Sequence, residues 1–382
     1  MPTSSTWTRR GFLAATAAGA GRAASAAPAL YAYVGCYTTA KRYARGDGIH
    51  VFRVDEETGR WTHVQKVGGL INPSFLTLRK DRQFLYSAHG DEGHATAFSV
   101  DPATGRLTQL NQVETGGVNG VHLALDNSGR FLVIANYTSG GVSVLSVKED
   151  GRLGELLQVV PLQGTPGPHR VEQASAHPHQ ILFEPAGRFV VVPDKGLDRV
   201  FVFGFDSKTG KLAPTAQGAG VARTFSGPRH AAFHPRLPVL WVLNEINNTV
   251  ATWMWEAERG HMKAAQILTT LPADYTGEST ASEIEVSPAG RFVYCSNRGY
   301  DSVAIYSADP STGLLTPQGW VPSRGRIPRF IGLDPRGRFL YAANEQSDNI
   351  VSWRVDAATG KLTATSAVVE TPSPVSIYFA RL

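Results

Sequence analysis

Residues 330–362 read FIGLDPRGRFLYAANEQSDNIVSWRVDAATGKL. A short apolar segment precedes the Gly-Arg-Phe turn that begins at Gly337, and a second apolar segment ends at the polar residue Asn344. A third segment ends near Asp356, and the Thr-Gly-Lys turn around Gly360 leads into a fourth. Short apolar segments separated by glycine-containing turns are typical of antiparallel strands joined by hairpins. The stretch therefore predicts one four-stranded antiparallel sheet.

The same unit recurs along the chain at a nearly constant spacing. The glycine before the fourth strand stands at seven positions, which are Gly59, Gly105, Gly151, Gly210, Gly260, Gly313 and Gly360. Successive copies are separated by 46, 46, 59, 50, 53 and 47 residues. A repeat of about 50 residues with four short strands is typical of propeller blades, because neighbouring blades cover each other's apolar faces. We predict an all-β, seven-bladed β-propeller over residues 30–382. The WD40 type is excluded, because the sequence contains no Trp-Asp dipeptide.

The two ends of the repeat array complete each other. Tyr31–Tyr37 corresponds to a second strand that lacks a first strand before it, whereas Pro374–Ala380 has the form of a first strand. Pairing these two segments completes the seventh blade and removes the open sheet edges at the ends of the array. We therefore expect the C-terminal strand to join the N-terminal blade and close the ring.

Residues 1–26 have the features of a twin-arginine signal peptide in the usual order. Thr8–Leu13 contains the arginine pair, an Ala- and Gly-rich stretch follows, and Ala24–Ala26 offers small residues for cleavage. The apolar part is about ten residues long, which is too short to span a bilayer. We expect export by the twin-arginine machinery to the periplasm or the cell exterior, and no other segment that spans a membrane.

The charge balance does not favour a nucleic-acid partner. The chain carries a formal charge of +5, but without the leader 34 basic residues face 32 acidic ones. No run of Lys or Arg is present that would follow a phosphate backbone. The two cysteines, Cys36 and Cys295, lie in predicted strands and are too few for a disulfide framework. We expect buried free thiols, with a single bridge as the alternative, in a monomeric protein.

The repeat also predicts where a binding site lies. In a propeller, the loops that enter first strands and leave second strands open on one face, called the upper face below. Polar residues that leave second strands are His89, Asn136, Asp194, Asn244, Glu245, Asn297, Arg298, Asn344 and Glu345. Those that enter first strands include His122, His177, His179, Arg229, His230 and Arg329. A funnel rich in Arg, His and Glu suits an anionic or lactone substrate.

The turns at the other end of each blade define the lower face. The Gly-Arg-Phe turns place four arginines there, namely Arg130, Arg188, Arg291 and Arg338. Because these arginines recur with the blade, we interpret them as structural turn residues. Trp253 and Trp255 alternate along a third strand and are interpreted as packing between blades.

Several phrases, in order along the chain, resemble a known family. They are Val34–Thr38, Ala135–Tyr137, His177–Gln180, Val192–Val200, Gly227–His230, Val242–Glu245, Ser296–Arg298 and Gly337–Val351. The chain resembles the seven-bladed lactonase family that holds bacterial 6-phosphogluconolactonase and fungal carboxymuconate lactonizing enzyme. The resemblance covers essentially all of the chain after the leader. It implies the same propeller fold that the repeat predicts.

The resemblance also implies which residues act. Matching phrase by phrase, it assigns catalytic roles to His179 in His-Pro-His, Arg229 in Gly-Pro-Arg-His, Glu245 in Leu-Asn-Glu and Arg298 in Ser-Asn-Arg. His177 is the alternative histidine, because only one residue separates it from His179 in the same phrase. The predicted substrate-binding residues are His177, His230, Asn136, Asp194, Asn244 and Asn297.

One position departs from the family pattern. Many relatives have Asp-Leu-Gly where this chain has Asp194-Lys195-Gly196. The added amine favours an anionic substrate if it faces the funnel, or it is solvated and without a role. His-x-His spacing is able to chelate a metal, but no acidic pair suits a hard cation, so we expect no metal and no cofactor.

The residues and the resemblance together predict a hydrolase that opens a sugar lactone by attack of water on the ester carbonyl. Glu245 or His179 would act as general base, and Arg229 and Arg298 would stabilise the oxyanion or bind a substrate anion. Export would separate the protein from 6-phosphogluconolactone, which is made in the cytoplasm, so an extracytoplasmic sugar lactone or related cyclic ester is expected. The alternatives are a muconate-type lactonizing cycloisomerase and a non-enzymatic envelope propeller that binds a ligand or partner.

Overall fold

Seven four-stranded antiparallel sheets form a ring of blades. The computed structural model describes Met1 and residues 28–382. The predicted leader, residues 1–26, lies outside the described residues apart from Met1. A short 3-10 helix, Ala40–Arg42, lies between the first two strands. No helix in the described part of the chain has the length and apolar character needed to cross a membrane.

The strands are given blade by blade, from the channel outward. Blade 1 contains β28 (Pro374–Arg381), β1 (Leu30–Cys36), β2 (Ile49–Val54) and β3 (Trp61–Val67). Blade 2 contains β4 (Pro73–Leu78), β5 (Phe84–His89), β6 (His94–Val100) and β7 (Leu107–Glu114). Blade 3 contains β8 (Gly120–Leu125), β9 (Phe131–Asn136), β10 (Gly141–Val147) and β11 (Leu153–Pro161). Blade 4 contains β12 (Leu182–Phe183), β13 (Phe189–Asp194), β14 (Arg199–Phe205) and β15 (Leu212–Val221).

The remaining three blades follow the same pattern. Blade 5 contains β16 (Pro228–Phe233), β17 (Val239–Asn244), β18 (Thr249–Glu256) and β19 (His261–Thr269). Blade 6 contains β20 (Thr280–Val286), β21 (Phe292–Arg298), β22 (Ser302–Ala308) and β23 (Leu315–Pro322). Blade 7 contains β24 (Pro328–Leu333), β25 (Phe339–Asn344), β26 (Asn349–Val355) and β27 (Leu362–Glu370).

The C-terminal strand closes the ring as the sequence predicts. Strand β28 pairs antiparallel with β1, with Tyr31 opposite Ala380 and Tyr33 opposite Tyr378. The same strand also contacts β4 and β24, the innermost strands of the blades on either side. The predictions of a seven-bladed propeller and of its mode of closure are both confirmed.

The hydrophobic core lies between blades rather than in one central mass. Trp253 and Trp255 of blade 5 pack with Val191 and Val200 of blade 4, which confirms their interpretation as packing residues. Cys36 lies in the layer between blades 1 and 7, and Cys295 lies in the layer between blades 5 and 6. Both cysteines are buried and free, as predicted.

The repeating glycines are explained by contacts between successive blades. At each of the seven positions the glycine has a positive φ, between 58° at Gly260 and 82° at Gly151. A Cβ at Gly151 would overlap the ring of Phe84 in the preceding blade, and one at Gly210 would overlap the ring of Phe131. Only glycine combines the backbone conformation with the missing side chain. At six of the seven positions the missing side chain leaves room for an aromatic ring of the preceding blade, and at Gly313 it leaves room for Val239.

Blade 4 departs from this regularity where it approaches the upper face. Its innermost strand β12 has only two residues, and residues 162–181 form a long connection between β11 and β12. Pro178 makes an isolated bridge to Asp194, and the backbone N–H of His179 donates to Pro193 at 3.0 Å. The longest repeat interval, 59 residues, arises here. The irregular segment holds His179 beside the channel without embedding it in a full strand.

Candidate active site

A pocket of about 890 Å³ opens on the upper face of the ring. We call it the upper pocket; its charged, histidine and aromatic lining consists of Arg42, Tyr137, His169, Glu172, His179, Lys195, Phe225, Glu245, Glu278, Arg298 and Arg329. Tyr137, Lys195, Glu245 and Arg298 stand at or just after the ends of second strands. These are the positions that the propeller topology selects from the sequence.

Glu245 is the centre of a cluster of three cations. Its Oε1 lies 3.1 Å from Lys195 Nζ, and its Oε2 lies 3.0 Å from Arg229 Nε and 3.1 Å from Arg298 Nη2. Burial alone would raise the pKa of Glu245, but the Lys195 ammonium and the guanidinium groups of Arg298 and Arg229 outweigh it, so the pKa is lowered far below its usual value. The carboxylate is thus held in its ionised form.

Each cation has a second partner that fixes its direction. Arg229 Nη1 donates to the backbone oxygen of Ser282, and Arg298 Nη2 donates to that of Ala281 at 3.1 Å. Lys195 Nζ lies 2.5 Å from Oε2 of Glu172, a residue of the long blade-4 loop. The side chain of Arg298 keeps 13 % exposure, against 4 % for those of Arg229 and Lys195. Arg298 is therefore the cation of this cluster that is best placed to contact a ligand.

His179 lines the upper pocket close to this cluster. Its imidazole is buried, and its Nδ1 has no hydrogen-bond partner among the described residues. Burial lowers the pKa of His179 well below its usual value, and the charges of Arg229 and nearby His230 lower it further. The imidazole is consequently neutral near pH 7 and keeps a lone pair that is able to accept a proton.

Two further arginines, Arg42 and Arg329, line the upper pocket. Arg329 Nη1 lies 3.5 Å from Glu345 Oε2, and its guanidinium carbon lies 5.0 Å from the centre of the Tyr37 ring. Arg42 donates to both carboxylate oxygens of Asp91 at 2.9 and 2.8 Å. Arg42 is held by a bidentate ion pair with Asp91, whereas the longer contact of Arg329 leaves it more available to a ligand.

A second, much smaller cavity of about 10 Å³ lies on the channel axis. We call it the inner cavity; its polar lining consists of Tyr37, Ser74, His179, Arg229, His230, Glu283 and Arg329. His179 and Arg329 line both cavities, so the inner cavity adjoins the upper pocket. His230, predicted to bind substrate, lines the inner cavity instead, and its Nδ1 lies 2.6 Å from Glu283 Oε1.

The structure brings the four predicted catalytic residues together. His179, Glu245 and Arg298 line the upper pocket, and Arg229 reaches Glu245 from the inner cavity. His177 does not line either cavity: its ring stacks on Tyr137 with centroids 4.3 Å apart, and its Nδ1 donates to the Tyr137 carbonyl at 3.0 Å. Of the two histidines in the phrase, His179 is the one that faces the pocket.

Four predicted substrate-binding residues lie outside the pocket lining. Asn136, Asn244 and Asn297 end second strands, and each donates from Nδ2 to a hydroxyl at the start of the third strand, on Ser143, Thr249 and Ser302 respectively. Asp194 Oδ1 accepts from the backbone N–H of Leu197 at 2.8 Å. All four side chains are buried. They close the turns between second and third strands and do not reach the space a substrate would occupy.

Other residues of the site were not predicted from the sequence. The sequence leaves two interpretations of Lys195 open, and the structure places it buried beside Glu245, in the lining of the upper pocket. Glu172 lies in the segment that lengthens one repeat interval to 59 residues, which was an available signal. Glu283 stands in β20 where His230 stands in β16, so its place in the repeat was also an available signal. Arg42 lies in the short helix between β1 and β2, outside the repeat, and carries no such signal.

No metal centre can be assigned in Met1 and residues 28–382, because no three His, Cys, Asp or Glu side chains there are grouped as ligands. His179 and His230 are close, with ring centroids 5.2 Å apart, but His177 is engaged with Tyr137. The histidines of the predicted site therefore do not form a ligand set.

The fold and the upper pocket together define a class of protein: a seven-bladed propeller with a carboxylate, an imidazole and several guanidinium groups converging at one end of its channel. The family described as "Lactonase, 7-bladed beta-propeller" matches residues 31–379. The chain belongs to this lactonase family, which confirms the family and the enzyme class expected from the sequence.

Named relatives agree with this assignment. The chain is 34% identical over 299 residues to a 6-phosphogluconolactonase of Bacillus subtilis, covering 78% of this chain and 83% of the relative. It is 33% identical over 316 residues to a 6-phosphogluconolactonase of Formosa agariphila, covering 79% and 86%. Among solved structures, the periplasmic gluconolactonase of Pseudomonas aeruginosa is 30% identical with a TM-score of 0.85, covering 92% of this chain and 100% of that one.

Proposed function

We propose that this protein hydrolyses a sugar lactone in the upper pocket, with His179 as the general base. One observation carries the proposal: the neutral imidazole of His179 lines the same pocket as a cluster of cations around one carboxylate. Lactone hydrolysis requires a proton acceptor for the attacking water and positive charge for the oxyanion that forms.

His179 is a better base than Glu245, for a physical reason. A carboxylate held between one ammonium and two guanidinium groups has a strongly lowered pKa and therefore little tendency to take a proton. Neutral His179 has an accepting lone pair and no counter-charge that must first be displaced. Glu245 instead neutralises and orients the cations, so that Arg298 presents an N–H donor towards the pocket.

The reaction balances with water as the only co-substrate. Water oxygen forms a bond to the carbonyl carbon while His179 accepts a proton, and Arg298 stabilises the charge that develops on the carbonyl oxygen. The tetrahedral intermediate then collapses, the ring C–O bond breaks, and the leaving alkoxide takes the proton from His179. The product is an open-chain hydroxy acid, and its carboxylate suits the same cations.

The charge of the upper pocket supports an aldonolactone or a more acidic lactone as substrate. Its lining has four basic side chains, Arg42, Lys195, Arg298 and Arg329, against the three carboxylates of Glu172, Glu245 and Glu278. Arg229 adds a further positive charge directly beneath. Such a field favours electron-rich or anionic ligands over cationic ones. The carboxylates and amides of the rim are suited to binding sugar hydroxyls.

We propose that the enzyme acts outside the cytoplasm, after twin-arginine export, as a monomer. The arginine pair in Thr8–Leu13 and the periplasmic gluconolactonase of Pseudomonas aeruginosa as a structural neighbour support this location. Replacing Arg9 and Arg10 with lysine should leave the protein in the cytoplasmic fraction of its host. Unchanged export of that variant would contradict the proposal.

The activity is tested with the purified protein and δ-gluconolactone, its 6-phosphate, a γ-lactone and a muconolactone. We expect acid release above the uncatalysed rate with at least one sugar lactone, measured with a pH indicator in weak buffer. Equal rates with and without a chelator would agree with a base supplied by the chain. Isomerisation of the muconolactone without hydrolysis of any sugar lactone would assign the chain to the cycloisomerase alternative instead.

A further inference from the structure

Two histidines that line the inner cavity each have a buried ring nitrogen without a hydrogen-bond partner among the described residues. His179 Nδ1 and His230 Nε2 are both inaccessible to solvent and have no hydrogen-bond partner in the described part of the chain. The two rings lie 5.2 Å apart, centroid to centroid, and both line the inner cavity. A buried polar atom without a partner is costly, so a bridging molecule is expected wherever there is room.

The inner cavity has room for one water molecule. Its volume of about 10 Å³ corresponds to roughly one water-sized sphere, and its lining is polar enough to hold such a water. On the far side of His230, Nδ1 lies 2.6 Å from Glu283 Oε1, while the backbone N–H of Glu283 donates to Ser296 Oγ at 3.0 Å. Glu283, His230, a water site and His179 thus form a line that ends at the upper pocket.

We infer that a single buried water links His230 Nε2 to His179 Nδ1, and that Glu283 and His230 are positioning residues that set which nitrogen of His179 carries the proton. The inference rests on the proposed function, because it concerns the residue proposed there as the base. Neither Glu283 nor His230 lines the upper pocket, so both act through His179.

The direction of the hydrogen bonds decides the state of His179. When Glu283 is ionised, it accepts from His230 Nδ1–H, and His230 Nε2 accepts from the water. The water oxygen then accepts from His179 Nδ1–H, which leaves His179 Nε2 with a free lone pair as a base. When Glu283 is protonated, every donor in the line reverses, His179 Nε2 carries the proton, and the base is lost. One proton on Glu283 separates the two arrangements.

The surroundings place this switch near neutral pH. Burial raises the pKa of Glu283 to about 8, and the charges of Arg229 and Arg329 oppose that rise. The titratable groups around the Glu283–His230 pair are Tyr37, His122, His179, Arg229, Glu245, Glu285, Cys295, Arg298 and Arg329. The base-competent form of His179 is the one with ionised Glu283, so competence should rise with pH.

The tautomer of His179 tests the inference without any substrate. In 15N-histidine-labelled protein, long-range proton–nitrogen spectra distinguish Nδ1–H from Nε2–H, and spectra of the His179→Gln and His230→Gln variants assign the signals. We expect His179 to change from the Nε2–H to the Nδ1–H form as pH rises through the ionisation of Glu283. In Glu283→Gln, which has no proton to lose, the tautomer should not depend on pH. A His179 tautomer that is constant across this range in the unmodified protein would overturn the inference.

The pH profile of turnover provides the second measurement. With the unmodified protein, kcat/KM should fall about tenfold per pH unit below the ionisation of Glu283, as expected for one required deprotonation. In Glu283→Gln that dependence should be absent, although the absolute rate changes. A merely structural role for Glu283 would lower kcat/KM equally at every pH and would contradict the inference. If no lactone is turned over at all, the proposed function fails, and the tautomer measurement still decides the hydrogen-bonded line.

Discussion

Arginines at the two ends of the ring are used in opposite ways. At the lower end, a guanidinium of one blade donates to a backbone oxygen in the outer hairpin of the next, in the pairs Arg130–Ser207, Arg188–Ala257, Arg291–Ala357 and Arg338–Glu56. At the upper end, Arg229 and Arg298 converge on a single carboxylate, Glu245. The lower contacts repeat with the blade, whereas the upper cluster occurs once.

This difference separates folding from function. A contact that is made at several blade junctions serves the packing of one blade on the next, so its residues recur in the sequence at the blade spacing. A cluster made once brings like charges together, and such an arrangement costs stability unless a counter-charge and a ligand offset it. Residues that do not recur with the blades are therefore explained by catalysis rather than by assembly of the ring.

The largest expected effect comes from removing the proposed base. His179→Gln should lower kcat by about 100- to 10,000-fold, the range that a positioned general base contributes. Thermal stability should change little, because Nδ1 of His179 has no partner among the described residues. The measurement is initial-rate kinetics together with a melting curve of the same preparation. Full activity of this variant would show that His179 is not the base and would contradict a catalytic role for this residue of the upper pocket.

His177→Gln is the matched control for that experiment. The residue lies in the same His-Pro-His phrase, but its ring stacks on Tyr137 outside the pocket lining. We expect this variant to keep most of its activity and to lose some stability through the weakened stacking. The opposite result, a silent His179 and an essential His177, would mean that the alternative histidine of the phrase is the base.

The second prediction concerns the single carboxylate that holds the upper cluster. Glu245→Gln leaves the buried Lys195, Arg229 and Arg298 without their shared anion. Removing one member of a buried charge cluster costs about 3–5 kcal/mol, so the melting temperature should fall by several degrees. Phosphate or sulfate should restore part of that loss by occupying the site. Unchanged stability, with no response to added anion, would show that the cations do not depend on Glu245.

Nearly all of the fold was predictable, because it follows from the repeat. The Gly-Arg-Phe turn at Gly337 and the hairpin glycine at Gly360 each recur, and their spacing alone gives the number of blades. The pairing of Tyr31–Tyr37 with Pro374–Ala380 follows from the same repeat. What the sequence did not predict is the short β12 of blade 4, because the loop before it is specific to that blade.

The site was predictable only in part. The topology selected the strand ends, and the family resemblance selected His179, Arg229, Glu245 and Arg298 among them. Sequence reasoning did not separate Glu245 from His179 as the base, because the difference depends on how many cations surround each group in space. It also did not find Glu283, although Glu283 occupies in β20 the register position that His230 occupies in β16, because the sequence does not show that the two side chains meet across neighbouring blades.

A smaller effect is expected from a glycine of the lower end. Gly151→Ala combines a positive φ with overlap of the new Cβ on the Phe84 ring. The two costs together are about 2–5 kcal/mol. Gly218→Ala is the control: φ is similar at 70°, but no atom lies within 4 Å of the added Cβ, so only the backbone cost of about 1–2 kcal/mol remains. Melting curves compare the two, and equal losses would mean that the inter-blade contact contributes nothing.

The smallest effect is expected from one lower arginine. Arg130 Nη2 donates to the backbone oxygen of Ser207 at 2.6 Å, but the residue is exposed and water competes for the same bond. Arg130→Ala should therefore cost at most about 1 kcal/mol, with kcat/KM unchanged. Arg130→Lys keeps the charge without the planar fork, so recovery by lysine would assign the effect to charge rather than to geometry. A fall in kcat/KM with either variant would mean that the two ends of the ring are coupled, because Arg130 touches no residue of the upper pocket or the inner cavity.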